Sequence, residues 1–298
     1  MKTFKFGSLL LTASLLFTSA GSPALLKAQD AAPVLKYTDW LDAAGKGDAE
    51  KAFMVGIGYY YAMYGAPKDN AKARQWLLKA ANGGHARAAL VLGDMYYAGR
   101  GVRANKAEAL KWYRKAADNG EPEAAEKVGD MYYYGESVRK DYSAAAAWYR
   151  KAADAGSGTA ASKLGRMYML GEGVKTDNSA ALKLLVNTGE PRDSVFIAEI
   201  YRAGLNGVKK DLAKAAEWLV KGATAGDTAS MQMLAEAYYA GDGVRRDYGE
   251  AYKWLAVVTS REKNPDGTAL MKRAASRMNS SELAAAKKKA AQAIREYK

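Results

Sequence analysis

The chain has 298 residues, a formal net charge of +13, one histidine and no cysteine. The absence of cysteine excludes disulfides, thiol catalysis, zinc–thiolate sites and a lipid-modified N-terminal cysteine. A single imidazole excludes any site that needs two histidines. Abundant alanine together with only 6 prolines favours helices over strands.

Residues 1–28 are typical of a cleavable secretory signal. Two lysines precede an apolar run, and small residues follow it. A membrane anchor is the alternative, but the run is shorter than the about 20 apolar residues that a spanning helix needs. We therefore expect a periplasmic or secreted protein, cleaved after Ala20 or Ala28, with a short linker over residues 29–37.

A pattern with a period of 36 residues organises the rest of the chain. In its clearest unit, over residues 92–120, Leu-Gly is followed by Tyr, Gly-x-Gly-Val, Asn, Ala, Trp and Lys-Ala-Ala. All six tryptophans occupy one position of this unit: Trp40, Trp76, Trp112, Trp148, Trp218 and Trp254. A fixed period in this range is typical of a solenoid, in which each unit packs on its neighbours.

The pattern predicts a lone capping helix over residues 38–45 and then six helix pairs. We place these pairs near 49–63/70–82, 86–98/106–118, 122–134/142–154, 158–170/178–188, 192–203/212–224 and 228–240/248–258. Glycine after each first helix favours a left-handed C-cap, and Asp or Asn is the N-cap of each second helix. Gly93 should let the partner helix approach closely, and the second helix should bury Ala109, Trp112 and Ala116.

Two regions depart from the repeat. Residues 187–192 replace the Lys-Ala-Ala ending, so stacking should be least regular there. After Trp254 the repeat stops, and two further helices are expected near residues 267–278 and 281–297. These helices would form a basic C-terminal cap over residues 259–298, which hold ten Lys or Arg and four Asp or Glu.

The unit resembles the Sel-one-like repeat family, a relative of the tetratricopeptide repeats. The matching residues are Leu92, Gly93, Tyr96, Gly99, Gly101, Val102, Ala109, Trp112, Lys115, Ala116, Ala117 and Gly120, with Asn105 in the place of the family's Asp. The resemblance covers residues 38–258. It implies an all-α fold, a right-handed α-solenoid of about six helix-turn-helix repeats with capping helices at both ends, and an interaction scaffold rather than an enzyme.

The first helices carry the candidate binding surface. If Leu92, Gly93 and Tyr96 face inward, a neighbouring stripe is exposed, and in tetratricopeptide-like arrays this stripe lines the concave face. The predicted partner-binding residues are Tyr61, Arg87, Asp94, Tyr97, Asp130, Tyr133, Arg166, Met169, Glu199, Arg202, Glu236 and Tyr239. Tyrosine offers a large contact area with a polar tip, which suits recognition. The alternative is that these tyrosines pack between adjacent repeats.

Other residues with possible chemistry have simpler interpretations. The segments 171–173 and 241–243 lack the Gly-Lys-Ser/Thr ending of a phosphate loop and the alternating carboxylates of a calcium loop, so we interpret them as turns. His85 is interpreted as a solvated turn residue rather than as a ligand or a pH switch. We predict no catalytic residue, no metal site and no cofactor.

Two functions fit the sequence. The first is a non-enzymatic scaffold of the bacterial envelope that binds a protein or peptide along the concave face. The alternative is an anion-binding module whose Lys287, Lys288 and Lys289 contact envelope polysaccharide or lipid headgroups, since surface charge attracts such partners. Nucleic acid is the poorer candidate for an exported protein, and we do not expect the chain to span a membrane.

Overall fold

The computed structural model describes residues 37–297, and every regular element in this range is an α-helix. The predicted signal segment and nearly all of the linker lie outside the described residues. Within residues 37–297, no helix combines the length and the apolar character that crossing a membrane requires.

Fifteen helices follow one another in the described range. They are α1 (Tyr37–Gly45), α2 (Ala49–Tyr61), α3 (Asn70–Asn82), α4 (Ala86–Ala98), α5 (Lys106–Asp118), α6 (Pro122–Tyr134), α7 (Tyr142–Asp154), α8 (Gly158–Leu170), α9 (Asn178–Leu185), α10 (Asp193–Ala203), α11 (Leu212–Thr224), α12 (Thr228–Ala240), α13 (Tyr248–Arg261), α14 (Pro265–Ala275) and α15 (Ser280–Glu296). The pairs α2/α3 to α12/α13 form six consecutive units, and each helix packs on its partner and on the next unit. The predicted α-solenoid is confirmed.

The N-caps of the second helices and the C-caps of the first helices recur from unit to unit, although Ala62 takes the place of glycine at the end of α2. The N-cap side chain of every second helix accepts a backbone N–H from the first turn, as Asp141 does from Ala144 at 2.9 Å. Gly99 ends α4 with a φ of +71°, a left-handed conformation that glycine adopts without strain. These caps fix where each helix starts and stops, so that the turns between helices are short.

One hydrogen bond corrects the register of the first unit. The amide of each N-cap residue donates to the carbonyl of an equivalent tyrosine: Tyr59, Tyr96, Tyr132, Tyr168, Tyr201 and Tyr238. Tyr59 lies one residue earlier than a strict 36-residue period places it. Tyr60, and not Tyr61, is therefore the equivalent of Tyr97.

The tryptophan is only half-buried in four second helices, α3, α5, α7 and α11, whereas Trp254 in α13 is buried at 5% exposure. Trp112 is half-buried, whereas the next residue, Tyr113, is 3% exposed. The prediction that the helix buries Trp112 is therefore wrong, although Ala109 and Ala116 are fully buried. The Trp112 indole instead lies beneath the Lys115 ammonium, 5.1 Å from the ring centroid.

Glycine in the first helix makes room for this buried residue. A Cβ atom on Gly129 would lie 2.6 Å from the ring of Tyr149, closer than side chains pack. Gly93 faces Tyr113 in the same way. The predicted role of Gly93 in close helix approach is confirmed.

The core is divided along the stack. One cluster of buried residues runs from Trp40 to Met167, and another occupies the C-terminal units and reaches Ala293 in α15. Between them lies a small cluster of Ala181, Leu185, Ile197 and Ile200. The division coincides with the short helix α9, which ends at Leu185 and not near residue 188 as the pattern predicts.

Candidate interaction surface

We call the surface formed by α2, α4, α6, α8, α10 and α12 the first-helix face. Exposed among the predicted binding residues are Tyr61, Arg87, Tyr97, Arg166, Glu199, Arg202 and Glu236. Half-buried among them are Asp94, Asp130, Tyr133, Met169 and Tyr239. The stripe is therefore accessible along the stack, and its role in binding stays a prediction.

The tyrosines of the stripe also link adjacent units. The Tyr97 hydroxyl donates to Glu136 at 2.6 Å, and the Tyr133 hydroxyl donates to Glu172 at 2.9 Å. Arg100 donates to the Tyr60 hydroxyl at 2.8 Å in the same register. The hydroxyls of these tyrosines thus bind between adjacent repeats, as the alternative interpretation of the sequence predicts.

The rings remain partly available despite these bonds. The side chain of Tyr97 is 37% exposed. Burial, followed by the hydrogen bond to Glu172, raises the pKa of Tyr133 to about 12, so its phenol is a neutral donor at physiological pH. The hydrogen bond from Tyr97 lowers the pKa of Glu136. These links hold the rings in fixed orientations.

The carboxylates of the stripe in the second and third units are bound within the protein. Asp130 accepts from the Tyr149 hydroxyl at 2.7 Å and from the Lys163 ammonium at 2.6 Å. Asp94 accepts from Tyr113 at 2.8 Å and lies 3.4 Å from Lys127. We call this trio of Asp, Tyr and Lys the interface triad. It neutralises the acids that the sequence suggested for partner binding.

The triad ends at the fourth unit. Leu185 lies where Tyr149 lies one unit earlier, and Arg166 replaces Asp130. The Arg166 guanidinium lies over the Phe196 ring, 4.7 Å from its centroid. No carboxylate of the described residues lies within 4.0 Å of it. Arg166 is therefore a cation without an ion pair, at the position where the two preceding units have a neutralised aspartate.

A small cavity of about 90 Å³ opens beside Arg166, between α6, α7 and α8. It is lined by Tyr133, Tyr134, Tyr149, Lys163, Arg166, Met167, Leu170 and Glu172. We call this the Arg166 cavity. Tyr134 and Leu170 are 64% and 54% exposed.

The sequence analysis missed Tyr134 and Leu170. Each is the last residue of its first helix and directly follows a predicted binding residue, Tyr133 or Met169. The sequence did contain a signal for them: both are large apolar residues at the end of a helix, outside the positions that form the core.

An equivalent cavity of about 110 Å³ lies between α10, α11 and α12. It is lined by Arg202, Leu212, Ala215, Ala216, Leu219, Met233, Glu236, Ala237, Ala240 and Asp242. Alanines Ala203 and Ala240 hold the positions of Tyr134 and Leu170. This cavity contains carboxylates of its own beside Arg202.

His85 is a structural link and not a solvated turn residue. Its Nδ1 atom accepts the Ala88 amide at 3.2 Å and so caps α4. Its Nε2 atom lies 3.0 Å from a carboxylate oxygen of Glu50, and the ring stacks on Phe53 with centroids 4.2 Å apart. Because Nδ1 accepts, the proton resides on Nε2, which donates to Glu50 in the preceding unit.

The basic tail residues Lys287, Lys288 and Lys289 are exposed on α15. Lys289 pairs with Glu250 at 3.1 Å, which connects α15 to α13. Burial opposes ionisation of Glu250, but hydrogen bonds from Lys253 and Lys289 outweigh it and lower the pKa of this carboxyl. Anion binding by this tail stays a prediction. In residues 37–297, no cluster of three or more His, Asp or Glu could hold a metal ion.

Two of the solved structures that are similar to this chain match it at 28% identity. One is c5321, a protective antigen of uropathogenic Escherichia coli with an SLR fold, at 28% identity and a TM-score of 0.74. The match covers 87% of this chain and 56% of c5321, so the chain spans little more than half of that protein. The other is a Sel1 repeat protein from Oxalobacter formigenes, at 28% identity and a TM-score of 0.64, with 77% of this chain and all of that chain covered.

The comparison with curated proteins gave no match. The family model described as Sel1 repeat matches residues 49–85, 86–121, 122–157, 158–185, 195–227 and 228–256. Proteins with these repeats generally act as non-catalytic scaffolds for protein interactions. The matches follow the six helix pairs and leave out the segment between α9 and α10. The chain therefore belongs to the Sel1 repeat family.

Proposed function

We propose that the protein is a non-enzymatic scaffold that binds a segment of a partner protein along its first-helix face. One observation carries the proposal. Eight large apolar side chains are exposed in the described range, and six of them lie at the ends of first helices or in the loops that follow. These six are Tyr61, Tyr64, Tyr97, Tyr134, Leu170 and Leu205. Clustered apolar exposure on one face marks an interaction site.

The architecture supports binding without rearrangement. The first helices are held by their left-handed C-caps and by the buried residue of the partner helix, and α4, α6 and α8 also form side-chain hydrogen bonds to the next unit. A surface held in place loses little conformational entropy when it binds, which favours affinity. The two ends of the array are covered by α1 and by α14 and α15, so the long faces of the array, the first-helix face among them, stay accessible.

A site-specific photo-crosslinker tests this proposal. We expect the crosslinker at Tyr134 or Leu170 to give the same discrete protein adduct in cells. The matched control is Val220, which is 37% exposed but lies on the second helix α11. Adducts from Val220 alone, or identical adducts from all three positions, would contradict binding at the first-helix face.

We further propose that the chain is exported to the bacterial envelope, since residues 1–28 have the pattern of a secretory signal. N-terminal sequencing of the protein from fractionated cells tests this. The expected mature chain begins after Ala20 or Ala28. A cytoplasmic protein that retains Met1 would contradict export.

A further inference from the structure

We infer that the partner segment is acidic and carries a large apolar side chain, and that the Arg166 cavity is its anchor. The inference rests on the proposed scaffold function. In this arrangement a partner carboxylate pairs with Arg166, and the adjacent apolar side chain packs on Tyr134 and Leu170. The argument combines the unpaired charge, the exposed apolar surface and a comparison with the equivalent cavity.

The charge at Arg166 is available to a ligand. The other cation of the cavity, Lys163, is occupied by Asp130 and by Glu126 at 2.8 Å. Glu172 lines the cavity, but it accepts the Tyr133 hydroxyl. Arg166 contacts the Phe196 ring and forms no hydrogen bond or ion pair with another described residue, so its N–H groups are available to donate. A guanidinium binds a carboxylate through two parallel hydrogen bonds, stronger and more directional than a neutral pair.

The apolar surface lies beside this charge. Tyr134 and Leu170 line the same cavity as Arg166, and more than half of each side chain is exposed. A cavity of about 90 Å³ accepts one aliphatic side chain but not a folded domain. Tyrosine and arginine are enriched among the residues that dominate binding energy at protein interfaces. The apolar contact supplies affinity, and the ion pair supplies selectivity.

The neighbouring units argue for this location along the stack. In the third unit, Asp130 holds the position of Arg166 and is paired with Lys163, so that unit offers an acidic segment no unpaired cation at this position. In the sixth unit, Glu236 holds that position and lines the second cavity together with Asp242. These acids line that cavity together with Arg202, and alanines hold the positions of Tyr134 and Leu170. The Arg166 cavity alone joins an unpaired cation to a large apolar rim within the described units.

Selection from a random peptide display library tests the inference. The selections would use the full mature chain, the Arg166→Asp variant and the Arg202→Asp variant. Arg166→Asp restores the charge found at Asp130, and Arg202→Asp is the matched control in the second cavity. We expect peptides selected on the wild type to be enriched in adjacent acidic and large apolar residues.

Binding of these peptides should weaken by at least about tenfold in Arg166→Asp and stay within about twofold in Arg202→Asp. Tyr134→Ser with Leu170→Ser should abolish it. Circular dichroism of each variant would verify that the helices are retained. Both positions are exposed, so the fold should tolerate the changes.

The outcomes separate this inference from the proposed function. Peptides that depend on Tyr134 and Leu170 but lack acidic residues, or that tolerate Arg166→Asp, would overturn the acidic partner and leave the scaffold function standing. Peptides that are indifferent to every first-helix substitution would contradict both. An equal loss of peptide affinity in Arg166→Asp and Arg202→Asp would indicate general charge attraction rather than a local anchor. This result would also overturn the inference.

Discussion

The interface between the second and third units and the junction between the fourth and fifth units use carboxylates in different ways. In the first, Asp94 is half-exposed and is bound by the Tyr113 hydroxyl and the Lys127 ammonium. In the second, Asp193 is 1% exposed and accepts from the hydroxyls of Ser162 and Thr188 at 2.5 and 2.6 Å. No cation of the described residues pairs with Asp193.

The difference shows how a regular stack accommodates an irregular unit. The interface triad joins helices that already pack through a buried tyrosine. At the junction, α9 is short and the core cluster is small, so a buried hydrogen-bonded carboxylate connects α8 to α10 instead. Where the triad is lost, the residue at its Asp position no longer needs to serve the interface. Arg166 occupies that position and becomes available to a ligand.

The largest expected effect compares Tyr149 with its equivalent Leu185. Both are fully buried, at 2% and 1% exposure. Tyr149→Ala should cost about 3–5 kcal/mol, and Leu185→Ala about 2–5 kcal/mol. Hydrogen exchange should show the Tyr149 effect across the continuous N-terminal core and the Leu185 effect confined to α9 and α10. Equal spreading in both variants would contradict the division of the core. Tyr149→Phe is the control that removes the hydroxyl alone.

The junction itself can be opened by Asp193→Ala. The change leaves the buried Ser162 hydroxyl without an acceptor, whereas Thr188 keeps its bond to the Leu185 carbonyl, and the loss should cost about 1–3 kcal/mol. We expect faster hydrogen exchange in α9 and α10 while α4 to α7 keep their protection. Asp193→Asn, which retains an acceptor, should lose less. Unchanged exchange in α9 and α10 would show that this carboxylate does not hold the junction.

The close approach of helices in the regular units is tested by glycine substitution. Gly129→Ala places a Cβ atom against the Tyr149 ring and should destabilise by about 1–3 kcal/mol. Gly158→Ala in the first turn of α8 meets its nearest atom, the Thr188 carbonyl oxygen, at 3.4 Å. It should be neutral or stabilise by up to about 1 kcal/mol, because alanine restricts the unfolded chain. Denaturant unfolding of the two variants measures the contrast, and the same sign in both would contradict it.

The smallest expected effect is a pH dependence in the regular region. Burial opposes ionisation of Glu126, but hydrogen bonds from Lys163, Thr159 and Ser157 outweigh it and lower its pKa. A lowered carboxyl pKa gives stability above the ordinary pKa and loses it as the pH falls through the folded value. The stability advantage of wild type over Glu126→Gln should therefore shrink on acidification. Because the pair is partly solvated, the effect should be below about 1 kcal/mol. A difference that is constant with pH would contradict this.

Much of the fold follows from the sequence because repetition makes the local signals redundant. Six Asp or Asn caps, the glycine C-caps and the helix periodicity place the repeat helices within two or three residues of their observed ends. Six tryptophans at one position indicated a solenoid before any contact was known. The exact register was predicted wrongly in the first unit. A strict period of 36 aligned Tyr61 with Tyr97, whereas the structure aligns Tyr60 with it.

The candidate site was less predictable, because exposure and pairing depend on neighbouring units. Composition alone could not distinguish Trp112 from Tyr113 as the buried residue, nor show that Asp94 and Asp130 are neutralised by side chains 19 or more residues away. By itself the sequence determined the number, order and approximate ends of the helices, because these depend on local capping and periodicity. Only the tertiary structure decided which charges are consumed within the stack and which, like Arg166, remain for a partner, because that depends on contacts between units.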